Sequence, residues 1–372
     1  MNSDIFQNIS KIVERDSKVT TYKFALLRGV IDMIQDNSPF ITFSSERVFF
    51  PTGILIEKWL LYYYPILESK VSIPQIHGNV NLAFGGQFEN LIDYYKSNGG
   101  FSAFYNDLTN KSIPDDIKND FIDLAKKLRG TITGMPMKHI GFSITEEYYS
   151  LFKYENTRIQ NRISESVDLV FLIKNFGTFS IPKEYYEAFQ VIGSFVSGQD
   201  SLLFKWAEFS VNASKHNLSI DKVLNDVLKN PITEREIAES KNFYKSILRK
   251  EGKVYCVWSG DSISRYDIDH MIPFSVWKNN DLWNLLPSRK TTNNDKRDKI
   301  PSPELVERKK DIITYYWQLI YDNNPQRFRK EIQVALLGNN TFESWQDTAI
   351  MQLQRSCEYL ISVRGFAEWK NI

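Results

Sequence analysis

Sulfur and histidine are scarce in this chain. Two cysteines, Cys256 and Cys357, stand far apart among 372 residues, so neither a disulfide framework nor a cysteine-only zinc site can be assembled from them. That usage fits a reducing, cytoplasmic setting, and no structural zinc is expected. Charge of one sign is also lacking: 46 Lys and Arg balance 45 Asp and Glu, for a net +1. The global balance therefore points to no polyanionic partner and no membrane surface. No run of 18 apolar residues occurs, and the opening MNSDIFQNISKIVERDSK lacks the basic-then-apolar plan of a signal peptide; the chain is expected to be neither exported nor membrane-spanning. Internal repeats, low-complexity tracts and long linkers are missing too.

Hydrophobic residues make up 42% and aromatics 14%, enough for packed cores in two or three domains at this length. Up to about residue 130 the apolar spacing is helical, over Tyr22 to Ile34, Ile54 to Tyr64, Phe88 to Tyr95 and Ile117 to Leu128, with glycine and proline at the joints. The spacing predicts a helical domain over 1–130. Residues 131–245 read as mixed and helical: Ile140 to Thr145 and Val167 to Ile173 fit short strands or buried helix, and helix returns from Pro182 to about Lys250. Beyond this, Lys253-Val-Tyr-Cys-Val-Trp-Ser-Gly reads as a strand ending in a glycine turn, with Ser264-Arg-Tyr-Asp-Ile-Asp-His as its hairpin partner. Asn293 to Lys299 reads as a short polar helix, and Ser302-Pro303-Glu304 as a helix start with serine capping and proline at the first helical position. The fold expected is mostly α with a small α+β part: a compact core over 246–303, then C-terminal helices over 304–372.

The average charge conceals a local excess. Between Lys241 and Lys310 there are 15 Lys and Arg against 9 Asp and Glu, a local +6 that leaves −5 for the rest. Inside that basic stretch lies Asp267-Ile-Asp-His270, spending one of only four histidines beside two carboxylates. Hydrolysis of a phosphodiester needs a base to activate water and a hard cation to take charge on the phosphate oxygens. His270 can be the base, and Asp269 can supply the oxygen ligand that a magnesium-like ion prefers. Neighbouring strand residues point to opposite faces, so both serve one site only where the strand ends, and Pro273 suits an ending. His77, His139 and His216 have no partner at metal-ligand spacing and are read as structural.

Four blocks in order, Cys256-Val-Trp-Ser-Gly, Asp267-Ile-Asp-His-Met-Ile-Pro, Asn280-Asp-Leu-Trp-Asn-Leu and Asn293-Asn-Asp-Lys-Arg-Asp-Lys-Ile-Pro-Ser, resemble the HNH endonucleases. They are most similar to the HNN variants, among them the HNH domain of CRISPR RNA-guided nucleases and stand-alone bacterial HNH proteins. The resemblance covers roughly 250 to 303 and implies a ββα-metal core. It implies His270 as general base and one Mg2+ or Mn2+ per active site held by Asp269 and Asn293. Asn293 is preferred to Asn294 because it keeps the family's Asn-x-x-Lys step to Lys296. By the same resemblance Asn284 pins the loop and orients the histidine. Lys296 is expected to face phosphate, with Arg289, Lys290 and Arg297 as backbone contacts, a solvated helix face being the other reading. Asp267 is either an outer carboxylate or a loop anchor. The family's paired Cys-x-x-Cys knuckles are missing, so Trp258, Trp277 and Trp283 are expected to hold the core. DNA is the preferred substrate, in a restriction or anti-phage setting, with the N-terminal region binding a protein partner or a signal. An RNA-cleaving toxin and an inactive binding module are the rival readings; the intact Asp269, His270, Asn284 and Asn293 argue against the second.

Overall fold

The computed structural model describes residues 5, 9, 21–69, 81–140, 151–159, 163, 165–195, 198–214, 218–226 and 235–370. The chain divides into two compact units, Met1–Asp36 with Phe40–Pro231, and Asn37–Pro39 with Ile232–Ile372. In the first, α1 (Tyr22–Gln35), β1 (Thr42–Phe43), β2 (Arg47–Pro51), α2 (Thr52–Glu68), α3 (Gly85–Lys96), α4 (Gly100–Thr109) and α5 (Lys118–Gly134) are followed by β3 (Lys153–Glu155), α6 (Leu169–Asn175), β4 (Thr178–Pro182), α7 (Lys183–Phe195), α8 (Gly198–Ala213) and α9 (Ile220–Asp226). Helices stand at all four stretches of helical periodicity. α1 and α2 are apolar on nearly every side and are buried accordingly, as expected of helices at the centre of a core. Trp59 and Tyr63 of α2 pack against Phe84, and Tyr63 also against Trp206. α6 lies so close to α2 that a Cβ on Gly53 would stand 2.2 Å from the carbonyl carbon and oxygen of Leu172.

The four strands form one antiparallel sheet in the order β1-β2-β4-β3. Arg47-Val-Phe-Phe-Pro thus forms a strand inside the stretch read as helical, because its partner Thr178–Pro182 comes from far along the chain. The ambiguous Val167 to Ile173 resolves as helix, with Asp168 capping α6 by accepting from the Phe171 N–H at 2.9 Å. Most of Ile140 to Thr145, together with His77 and His216, lies outside the described residues. Among the described residues, no helix is long and apolar enough to cross a membrane.

The second unit runs α10 (Ala238–Glu251), β5 (Val254–Tyr255), β6 (Ser262–Ile263), β7 (Asp267–His270), β8 (Leu285–Ser288), α11 (Lys290–Lys296), β9 (Ile300–Pro301), α12 (Pro303–Arg308), α13 (Lys310–Asn323), α14 (Pro325–Ile332), α15 (Trp345–Glu358) and β10 (Glu368–Trp369). One expectation is corrected here. The partner of β5 is β6, with Val254 opposite Ile263, and not the acidic segment. In that register Asp267 would fall opposite Lys250, which belongs to α10. β7 pairs instead with β8, Asp267↔Ser288 through His270↔Leu285, so the hairpin that carries the acidic segment closes over residues 271–284, among them the buried Met271, Ile272, Leu282 and Trp283. Trp258 and Trp283 are fully buried in the core and Trp277 is partly buried against it; Trp317 donates from Nε1 to the Trp283 carbonyl at 2.8 Å. Ser302 caps α12 by accepting from the Leu305 N–H at 3.1 Å, and β9 pairs in parallel with β10.

Candidate active site

The site is built where β7 ends. Alternation along the strand puts Asp267 and Asp269 on one face and His270 on the other, and His270 is the last strand residue. Asp269 is buried. Its Oδ1 accepts from Lys296 Nζ at 3.0 Å and its Oδ2 from Trp258 Nε1. A carboxylate offers about four lone-pair positions, so both oxygens retain acceptor capacity. Asp267 is half-buried at the head of the strand, and among the described residues its carboxylate has no hydrogen-bond or ion-pair partner.

Lys296 corrects a second expectation. Its side chain is 0% exposed, and Nζ donates to both Asp269 Oδ1 and the His270 carbonyl, the latter at 2.7 Å. An ammonium buried this deeply must be paired, and this one pins α11 to the end of β7 rather than facing solvent. Asn293 stands three residues earlier on the same helix, one turn back on the same face. It is half-buried, and among the described residues its side-chain amide has no hydrogen-bond partner.

The His270 ring is buried, with the Phe274 ring edge 5.6 Å away between centres. Burial lowers its pKa, the Asn280 hydrogen bond opposes that shift and Arg235 adds to it. The imidazole is therefore neutral, and able to accept a proton, at neutral pH. Asn284 is fully buried in the loop behind it. Its Oδ1 accepts from the Ile272 N–H at 2.8 Å, its Nδ2 donates to the Ile272 carbonyl at 3.0 Å, and its own carbonyl accepts from Met271 N–H at 2.8 Å. These bonds fix the two residues that follow His270.

Residues 256–302 match the family described as HNH endonuclease, and residues 2–227 match one described as Domain of unknown function (DUF8808). The chain belongs to the DUF8808 family and carries an HNH endonuclease domain. It is 26% identical over 125 residues to a CRISPR-associated endonuclease Cas9 of Listeria innocua, a stretch covering 32% of this chain and 9% of that protein. No solved structure matches it.

Asp269 offers a carboxylate and Asn293 an amide oxygen, donor types of the kind that hard cations such as magnesium take while keeping several waters. Among the described residues no group of three His, Cys, Asp or Glu could hold a metal ion. Arg289, Lys290 and Arg297 are exposed; the Arg289 guanidinium meets Asp261 at 2.9 Å and Arg297 Nε donates to the Asn294 carbonyl at 3.2 Å. Cys256 Sγ accepts from the Arg289 N–H at 3.3 Å and lies 3.7 Å from Ser288 Oγ.

Several contributors escaped the sequence reading. Trp258 serves Asp269 as well as the core. Asn280, visible only as part of an asparagine-rich stretch, lies 3.3 Å from His270 Nε2. Glu331, on α14 and beyond the family match, accepts from the Leu282 N–H at 2.7 Å and pairs with Arg327 at 2.6 Å. Burial and the neighbouring Asp281 push its pKa up to about 8 against the pull of Arg327. No sequence signal marks that carboxylate.

Proposed function

We propose that this chain is a metal-dependent DNA endonuclease of a bacterial restriction or anti-phage defence system. The observation that carries the proposal is the buried Asp269–His270 pair at the tip of β7, tied by Lys296 to the helix bearing Asn293, within an HNH endonuclease domain. His270 takes the proton of the attacking water through its neutral imidazole. Asp269 and Asn293 hold one Mg2+ or Mn2+, which supplies Lewis-acid stabilisation of charge on the scissile phosphate when bound. Asn284 keeps the His270 backbone from turning away. Arg289, Lys290 and Arg297 offer exposed cations to the phosphate backbone. The defence setting rests on the pairing of a large helical region with an HNH core, an analogy of architecture.

Incubating the full chain with duplex DNA, single-stranded DNA and RNA, each with magnesium or manganese, tests this reading. Duplex DNA should be cut, and His270→Ala should slow the cut by about 10²- to 10⁴-fold, the usual contribution of a positioned base. Cleavage of RNA alone would overturn the choice of substrate. Absence of cleavage with every substrate and metal would overturn the nuclease.

A further inference from the structure

Which nitrogen of His270 carries its proton is fixed by groups outside the catalytic set. The Glu236 backbone N–H lies 3.1 Å from Oδ1 of Asn280. A backbone N–H can only donate, so the side-chain atom facing it is the amide oxygen, which settles the orientation of the Asn280 amide. The same oxygen lies 3.3 Å from His270 Nε2. An amide oxygen only accepts, so Nε2 is the ring nitrogen that bears hydrogen, and the lone pair of the neutral ring is on Nδ1. The neighbours of Asn280 are held just as firmly. Asn279 Nδ2 donates to Asp281 Oδ2 at 2.7 Å, the Asp281 N–H returns to Asn279 Oδ1 at 2.8 Å, and the Leu282 N–H is taken by Glu331.

We infer that Asn280 is a positioning residue of the reaction. It selects the Nε2–H tautomer of His270 and leaves Nδ1 to receive the proton of the attacking water. Glu236, in the segment that leads into α10, holds Asn280 in that orientation. The inference rests on the nuclease reading above, because a tautomer matters to turnover only where His270 is the base.

Nitrogen NMR of the histidine side chains in the full chain tests it, with the His270 signals assigned by their loss in His270→Gln and the kinetics of DNA cleavage measured alongside. In the wild type, above the pH at which the ring titrates, His270 should show hydrogen on Nε2. In Asn280→Ala the two tautomers should mix, and kcat should fall by about 10- to 100-fold with KM little changed, as expected when a base loses its orientation rather than the substrate its binding. Asn280→Asp retains an oxygen facing both donors and should recover most of that loss. A wild-type His270 carrying its hydrogen on Nδ1, or an unchanged kcat in Asn280→Ala, would overturn the inference alone. Cleavage undiminished in His270→Gln would overturn it together with the reading of His270 as the base.

Discussion

Replacing Lys296 with methionine isolates the contact that joins the helix to the strand. The lysine side chain is 0% exposed and that of Asp269 4%, so neither charge is relieved by water. Methionine fills much the same volume, which keeps the packing loss small. What disappears is a buried cation with two hydrogen bonds, to Asp269 Oδ1 and the His270 carbonyl. Breaking a buried pair by removing one partner costs about 3–5 kcal/mol, and two bonds to a charged group at roughly 1.5–3 kcal/mol each reach the same range. In urea titrations without divalent metal, the transition of the second unit should move to lower denaturant at unchanged slope. Magnesium should then stabilise the variant more than the wild type, because the stranded Asp269 carboxylate lacks its resident cation and a ligand that binds only the folded state raises stability. A shift under about 1 kcal/mol, or equal stabilisation of both proteins by magnesium, would refute this account of Lys296.

Asn284→Ala leaves both the N–H and the carbonyl of Ile272 buried without partners; calorimetry should read a loss of about 2–6 kcal/mol, given roughly 1–3 for each group stranded. Glu331 gives a pH dependence. Its pKa is raised to about 8 from an ordinary carboxylate value, so stability is full below the unfolded pKa and is lost as pH rises to about 8, by up to about 1.4 kcal/mol per unit. Glu331→Gln should flatten that fall in a denaturation series from pH 5 to 9, and an equally steep fall in the variant would contradict the assignment. In the first unit, Gly53→Ala forces a methyl to within 2.2 Å of the Leu172 carbonyl and should cost about 1–3 kcal/mol by overpacking, read as a lowered melting temperature.

Local features were legible in the sequence and long-range ones were not. Helices follow from three- and four-residue apolar spacing, and α1, α2, α3 and α5 stand where that spacing places them. The Asp269–His270 pair, Asn284 and Asn293 stand out in the sequence because spacing along the chain is itself the signal, and their roles in the site are part of the proposal. The partner of β7 was not, since Leu285–Ser288 meets it across a loop whose closure depends on Asn284 and Glu331. The sheet of the first unit has the same cause: Arg47–Pro51 acquires its partner only when Thr178–Pro182 arrives. Lys296 was misjudged because a lysine on a short polar helix is ordinarily solvated, and only the covering of that helix face by β7 and Trp258 turns it inward. Asn280 shows how a polar loop residue gains meaning from its neighbours in space.

The central claim is that Asp269 and Asn293 grip one divalent cation beside His270. A crystal of the full chain soaked with manganese and a short DNA duplex tests it, because anomalous scattering locates the metal directly. The account predicts a manganese peak within about 2.0–2.3 Å of an Asp269 carboxylate oxygen and the Asn293 amide oxygen, distances usual for small hard cations, with the scissile phosphate on its open side. Manganese bound elsewhere, with the Asp269 carboxylate still held only by Lys296 and Trp258, would contradict it.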